Sequence, residues 1–453
     1  MPIFSRRRLQ SMLDELRQVM PLEKGMDLLR RLENKRVDQA LPAEMELGLL
    51  WALSKLGEMD IEPEWWGDSS RPDAVTDYLL PSRLTAIEIA AVTDNAISGE
   101  ELMDRVALQI TDFSNTLQKG SGQYLYFTFG GTQAFENGRS VRRRLAPEGY
   151  LLSEAAKNSI REWISSGGAD SGKLTISEPG LHIVVERRGY KQVRYHNVFS
   201  SIPPEAYSID DNPLYALLKR KLAQLKAAPS DTVRIIIVAD VGSTLLRRIG
   251  TFGEKTGPGG YHFSGTDIIS HFIRTNSARI DAVAVFTPHR KRINFHQDDL
   301  QWAGHCFAAN RALRDELIGA VKKLAASLPK PHFEGYQARS LFQQGAFSPT
   351  ARGWYLGVKM TSRPGQFQVS IPARAFLDLL AGRITPQQFS YALGDRPNEK
   401  NLFKGILDRG ETLSAIEMAP RDVDADDDHI VFHFSDDPAA RKLKVKAPHE
   451  ADE

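Results

Sequence analysis

The chain has 453 residues, enough for two or three domains, and its 42% hydrophobic and 25% charged content is that of an ordinary soluble globular protein. Lys and Arg (58) balance Asp and Glu (57), so net charge points to no nucleic-acid partner and local patches have to be read instead. The single cysteine, Cys306, excludes a disulfide framework and a multi-cysteine zinc site within the monomer, and without a run of about 18 apolar residues no membrane span is expected. A cytoplasmic location is expected.

The first residues, MPIFSRRRLQSML, place Arg6, Arg7 and Arg8 ahead of no apolar core, so they predict a helix start and not a secretory signal. An amphipathic helix is predicted over 5–35. A second, strongly periodic helix is predicted over 42–57, with Gly57 as its C-cap. Strands follow at 59–66, 72–79 and 84–92, the last two joined by a turn at Leu80-Pro81-Ser82. A helix over 99–118, the strand YLYFTF (124–129), a helix over 150–165 and two or three strands over 173–198 come next. Asp211-Asn212-Pro213 opens a helix over 213–227, and TVRIIIVADVG (232–242) reads as a buried strand. The loop GEKTGPGG (253–260) lacks the Gly-Lys-Ser/Thr ending of a phosphate-binding loop, so a plain flexible loop is expected. A helix over 266–275 and a strand over 280–287 follow. After Pro288 come the basic run HRKRINFH, a helix over 308–328, a loop-like stretch over 330–352, an α+β module over 353–435 and a charged tail.

Four polar residues stand on faces that are otherwise apolar. At about 100° per residue, Glu46 falls on the helix face that carries Leu49, Leu50, Leu53 and Leu56. In the strand 84–92, parity puts Ile87 and Ile89 on one face and Leu84, Ala86, Glu88, Ala90 and Val92 on the other. Glu88 is thus flanked by two alanines, which leave space beside it. An ionised carboxylate in such a setting is costly without a partner or a metal. A hairpin through 80–82 brings Asp73, which shares a face with Val75 and Asp77, across the strand pair to Glu88. Carboxylates that converge repel one another unless a cation joins them, and Mg²⁺ favours oxygen ligands. On the helix 213–227, Lys221 projects from the centre of the stripe Leu214, Leu217, Leu218, Leu222 and Leu225, with Gln224 at its edge. Lys219, Arg220 and Lys226 lie toward the solvated side.

A helix with an inward Glu46, a strand with Pro72-Asp73, a strand with Ile87-Glu88-Ile89, the helix LYALLKRKLAQLK and the strand VRIIIVAD resemble, in this order, the PD-(D/E)xK nuclease superfamily. The resemblance implies an α/β fold with a restriction-endonuclease-like core, a mixed sheet flanked by helices. That core would span 41–95 and 205–290, after an N-terminal helical segment (1–40). An α/β insertion (96–204), a helical connector (291–352), a C-terminal α+β module (353–438) and a disordered tail (439–453) would complete the chain. A competing reading takes 99–118 and 124–129 as the next core elements; 213–240 is preferred for its inward Lys and its more apolar strand. The family places a lysine two residues after the Glu, where this chain has Ala90, and Lys221 is the replacement available from the helix.

By this resemblance Asp73, Glu88 and Lys221 are the expected catalytic residues. Glu46, Asp73 and Glu88 are the expected ligands of Mg²⁺ (or Mn²⁺). The implied activity is phosphodiester hydrolysis in nucleic acid, DNA before RNA, in restriction or anti-phage defence. The alternative, to which Ala90 points, is an inactive nuclease-like scaffold that binds nucleic acid or a partner protein. Beside nucleic acid, a partner protein and a homo-oligomer are the alternatives left open, and the oligomeric state is not read from the sequence. Arg143, Arg247, Arg290, Lys291 and Arg292, from three basic runs, are candidates for phosphate contacts. His289, His296 and His305 are spaced without a helical i, i+4 pair, so no zinc site is expected there.

Overall fold

A computed structural model of the chain describes residues 3–34, 37–66, 71–81, 83–93, 100–118, 120–136, 139–166, 172–188, 198–200, 206, 208–229, 231–246, 249–256, 260–294, 297–331, 358–363, 366–386, 389, 402–425 and 427–436. Proline punctuates the N-terminal region. The helix expected over 5–35 is two: α1 (Arg6–Leu16), capped by the Ser5 hydroxyl, and α2 (Leu22–Leu32), which starts directly after Pro21. Pro21 has no N–H to continue a helix but suits its first turn. The third helix, α3 (Val37–Ser54), begins upstream of its expected start and carries Pro42 inside it. It is buried nearly all round from Leu41 to Leu50, as a central helix must be. Gly57 follows it as expected, but for closeness and not for a left-handed turn: a Cβ there would stand 2.9 Å from Cβ of Tyr78.

Short strands β1 (Met59–Ile61) and β2 (Ala74–Thr76) and the longer β3 (Thr85–Val92) form an antiparallel meander, with Ala74 opposite Ile87 and Thr76 opposite Thr85. Leu84 lies outside β3 and is exposed. The chain then leaves the sheet. It forms α4 (Glu100–Leu117), β4 (Leu125–Phe129), the hairpin β5 (Gly131–Glu136) and β6 (Arg139–Arg144), α5 (Glu154–Ser165), β7 (Lys173–Glu178), β8 (Leu181–Arg187) and β9 (Val198–Ser200). Their sheet runs β7-β8-β4-β9 over a core of its own, with Met103, Ile110, Phe127, Ile160 and Val185.

The first sheet resumes after α6 (Pro213–Gln224), whose N-cap Asn212 accepts from the Tyr215 N–H at 2.9 Å. Strand β10 (Val233–Asp240), and not β4, pairs in parallel with β3, setting Ile236 beside Glu88. The Gly-rich loop forms a small hairpin, β11 (Glu254–Thr256) and β12 (Gly260–His262). Helix α7 (Gly265–Thr275) starts with a reciprocal Ser264–Asp267 cap and leads to β13 (Ala282–Asn294), β14 (Gln297–Ala308) and α8 (Arg311–Ser327). The strand expected to end at 287 runs on, so the boundary expected at 290/291 falls inside β13. Pro288 is tolerated because β10 is matched only as far as Phe286, leaving a single neighbouring strand. The complete sheet is β1-β2-β3-β10-β13-β14, with a parallel centre and antiparallel margins.

The molecule is therefore α/β, a mixed sheet flanked by helices. Leu50 and Leu53 of α3 and Leu317 and Val321 of α8 pack with Ile87 and Ile235 on one face; Leu218 of α6 and Phe272 of α7 pack with Ala86, Ile236 and Val238 on the other. Strands β15 (Lys359–Arg363) and β16 (Gln366–Pro372), helices α9 (Ala373–Leu380) and α10 (Leu402–Asp408), and strands β17 (Glu411–Met418) and β18 (His429–Asp436) form a further antiparallel unit, in the order β15-β16-β18-β17, with its own core. Arg7 and Arg8 of α1 meet it through forked pairs with Asp428 (2.8 and 3.1 Å) and Asp424 (2.7 and 2.9 Å). Among the described residues no helix is long and apolar enough to cross a membrane.

Candidate active site

The site forms where β2 gives out beside β3. Asp73 immediately precedes β2, and the pairing of Ala74 with Ile87 sets it next to Glu88. With no further β2 backbone to receive it, the Ile89 N–H donates to Asp73 Oδ2 at 2.7 Å, the carboxylate standing in for a ladder carbonyl. Glu88 is fully buried between Ala86 and Ala90. Lys221 reaches both from α6, its Nζ donating to Glu88 Oε2 at 2.7 Å and to Asp73 Oδ2 at 3.1 Å. Of the expected site residues, the structure brings these three into direct contact.

Glu46 does not join them. It is turned to cations on α2: Lys24 Nζ lies 2.5 Å from Glu46 Oε1, and Arg31 donates to Glu46 Oε2 at 2.8 Å. Lys24 also lies 2.5 Å from Glu62 and 3.7 Å from Asp73 Oδ1, so a single ammonium separates Glu46 from the Asp73 group. The set of three metal ligands expected from Glu46, Asp73 and Glu88 is thus not assembled, because Lys24 and Arg31 satisfy the first of them. Among the described residues no group of three or more His, Cys, Asp or Glu side chains is arranged to hold a metal ion.

Sequence reading missed Lys24, Arg31 and Glu62. The apolar pattern of α2 misleads, since Leu22, Met26 and Leu29 are exposed while Lys24 and Leu28 are buried. Glu44 was missed too; it is buried on α3 and accepts from the backbone N–H groups of Ile3 and Phe4.

Burial, followed by the nearby Asp73 charge, pushes the Glu88 carboxyl up to about 8 despite Lys221. Burial also works against ionised Asp73, but Lys221, Lys24 and the Ile89 N–H outweigh it and hold Asp73 below the usual carboxylate range. Both ammonium groups lose hydration and are nonetheless raised above the ordinary lysine value by their carboxylates. Asp73 and Glu88 share the Lys221 ammonium, but Asp73 also has Lys24, so Glu88 is the one that carries negative charge at a cost.

Glu88 Oε1 is buried and has no hydrogen-bond partner among the described residues. An orphaned carboxylate oxygen beside a second carboxylate fits a divalent cation, and Mg²⁺ takes one or two carboxylates and completes its shell with water and phosphate oxygens. The donor set that fits is Asp73 and Glu88, two of the three ligands expected.

Of the candidate phosphate contacts, Arg247 lies outside the described residues. Arg143 on β6, and Arg290, Lys291 and Arg292 on β13, have described backbone but side chains outside that description. Lys219, Arg220 and Lys226 are exposed, as the helix reading predicts. His289 and His305 sit at different levels of the β13–β14 pair, opposite Gln301 and Val285, and His296 lies outside the described residues. Comparison with family models, with curated proteins and with solved structures finds no match for this chain.

Proposed function

We propose that the chain is a Mg²⁺-dependent nuclease of the PD-(D/E)xK type, with a restriction-endonuclease-like core, acting on phosphodiester bonds in DNA. The succession α3, β1, β2, β3, α6, β10, with an antiparallel meander followed by a helix and a parallel strand, supports this reading. The observation that carries it is the Lys221 ammonium lying on both Asp73 and Glu88. Lys221 thereby fills, from a helix, the role that Ala90 leaves open on the strand.

Asp73 and Glu88 would hold Mg²⁺, which when bound would acidify a water and offset charge on the phosphate. Glu88 gives up its proton to serve as a ligand. Asp73 is fixed for this by the Ile89 N–H, which donates to Oδ2 and holds the carboxylate beside Glu88. Lys221 would turn an N–H to the nucleophilic water or to a phosphate oxygen. Water would attack phosphorus and give up a proton to solvent as the bond from phosphorus to the leaving sugar oxygen breaks, that oxygen taking a proton from solvent.

Plasmid cleavage by the full chain with Mg²⁺ or Mn²⁺ tests this. Asp73→Ala and Glu88→Ala are expected to abolish cleavage. Lys221→Met is expected to slow it by about 10²-fold or more, as loss of one charge-stabilising group does. Cleavage that survives Asp73→Ala and Glu88→Ala sinks the assignment. A second reading, an inactive scaffold that binds nucleic acid or a partner protein, is favoured by the complete burial of Glu88 under its contact with Lys221. Salt-sensitive DNA binding without cleavage by any metal would select it.

A further inference from the structure

Lys24 takes no part in the reaction set out above, yet its ammonium joins three elements of the same centre. It lies 2.5 Å from Glu46 on α3, 2.5 Å from Glu62 after β1 and 3.7 Å from Asp73 before β2, with only 7% of its side chain exposed. Three carboxylates facing one point repel one another unless a cation lies between them. Here a protein ammonium fills that point.

The chain holds the arrangement against local preference. Glu62 has a φ of 45°, the only non-glycine residue at positive φ among the described residues. A side chain disfavours that conformation, which persists only where the surroundings impose it. The surroundings are the β1–β2 pairing on one side and the Lys24 ion pair on the other. Asp73 is divided between two cations: Oδ2 faces Lys221 and the Ile89 N–H, while Oδ1 faces Lys24. Arg31 holds the remaining oxygen of Glu46.

Resting on the nuclease reading, we propose that Lys24 is a positioning residue of this centre: its ammonium permanently fills the cation position framed by Glu46, Glu62 and Asp73, so that one divalent ion binds, between Asp73 and Glu88. A second divalent ion at the Glu46 side would have to displace a buried ammonium from its carboxylates, and like charges at such separations repel strongly away from water. Lys24 also fixes the rotamer of Asp73 from the side opposite Lys221.

Counting bound Mn²⁺ by electron paramagnetic resonance on the full chain, without nucleic acid, tests this. Wild type is expected to bind one ion. Lys24→Met, with the cradle vacated, is expected to bind two. Glu62→Gln and Lys24→Arg are expected to bind one, because Glu62 serves the ammonium and arginine keeps the charge. Glu88→Ala is expected to bind none. Melting curves identify any variant that does not fold; if Lys24→Met fails, the wild-type, Glu62→Gln and Lys24→Arg counts still decide. Two ions in wild type, loss of the ion in Glu62→Gln, or one ion in folded Lys24→Met overturns the role of Lys24 alone. No bound ion in wild type at millimolar Mn²⁺ removes the metal-dependent reading itself, and this inference with it.

Discussion

Glu88 shows how a single residue couples stability to chemistry. Its carboxyl titrates near 8 in the folded chain, against an ordinary value of 4.5. Between those values the folded state holds a proton that the unfolded state has released. Stability from this group is therefore complete below about 4.5 and declines as pH rises toward 8, by at most about 1.4 kcal/mol per pH unit. Asp73, displaced downward, acts in the opposite sense and at lower pH, so the two windows do not overlap. In EDTA, urea unfolding of wild type minus that of Glu88→Gln is expected to show this decline between pH 5 and 8. Saturating Mg²⁺ is expected to stabilise wild type more at pH 8 than at pH 5, since the ligand is the ionised form. Parallel curves for wild type and Glu88→Gln would mean that Glu88 is ionised throughout. Strand parity was enough to pick out Glu88 and Asp73, because alternation is a property of the backbone itself. Nothing comparable marked Lys24, whose partners come from three separate elements.

At the scale of elements, α2 inverts the usual amphipathic rule. Leu22 is 79% exposed and Met26 64%, whereas Leu28 is fully buried and Lys24 nearly so. The helix is turned by its ion pairs with Glu46, Glu62 and Asp73 and by Leu28 packing on the core. Met26→Glu is accordingly expected to change unfolding free energy by no more than about 0.5 kcal/mol, as a surface substitution does. Leu28→Ala should cost about 2–5 kcal/mol by opening a cavity. The reverse ranking in urea titrations would show that α2 packs by its apolar stripe. A reading of hydrophobic period sees the stripe and not the charges that outweigh it, which is why one helix with a conventional inner face was expected over 5–35. Pro21 supplied the break. The opposite error occurred at Pro288, where a strand end was expected and β13 continues along the margin of the sheet.

At the scale of the molecule, α1 links the N-terminal layer of the core to the unit formed by 358–436. Two forked arginine–carboxylate pairs, Arg7–Asp428 and Arg8–Asp424, make the junction, together with the Ser5 hydroxyl donating to the Val423 carbonyl. Such partly exposed pairs contribute at most about 1 kcal/mol each and are weakened by salt. Replacing both Arg7 and Arg8 by Ala is expected to leave the melting of the main sheet nearly unchanged. Limited proteolysis should then release 358–436 faster, and high salt should reproduce the effect in wild type. Unaltered proteolysis would mean that other contacts hold the unit.

The sequence by itself determined the class of the fold and the identity of the central charges. Its hydrophobic runs imposed the buried strands β3 and β10, and its period in 213–227 turned Lys221 inward, because strand and helix geometry fix side-chain direction residue by residue. Tertiary structure alone decided what those charges meet. Lys221 and Glu88 stand 133 residues apart and Lys221 and Asp73 148 residues apart, so their contact depends on β10 docking in parallel on β3 past an intervening unit with a core of its own. It also decided that Glu46 pairs with Lys24 and Arg31 rather than completing a three-carboxylate set. The rotation of α2 is set by a sum of ion pairs and packing that no local period encodes.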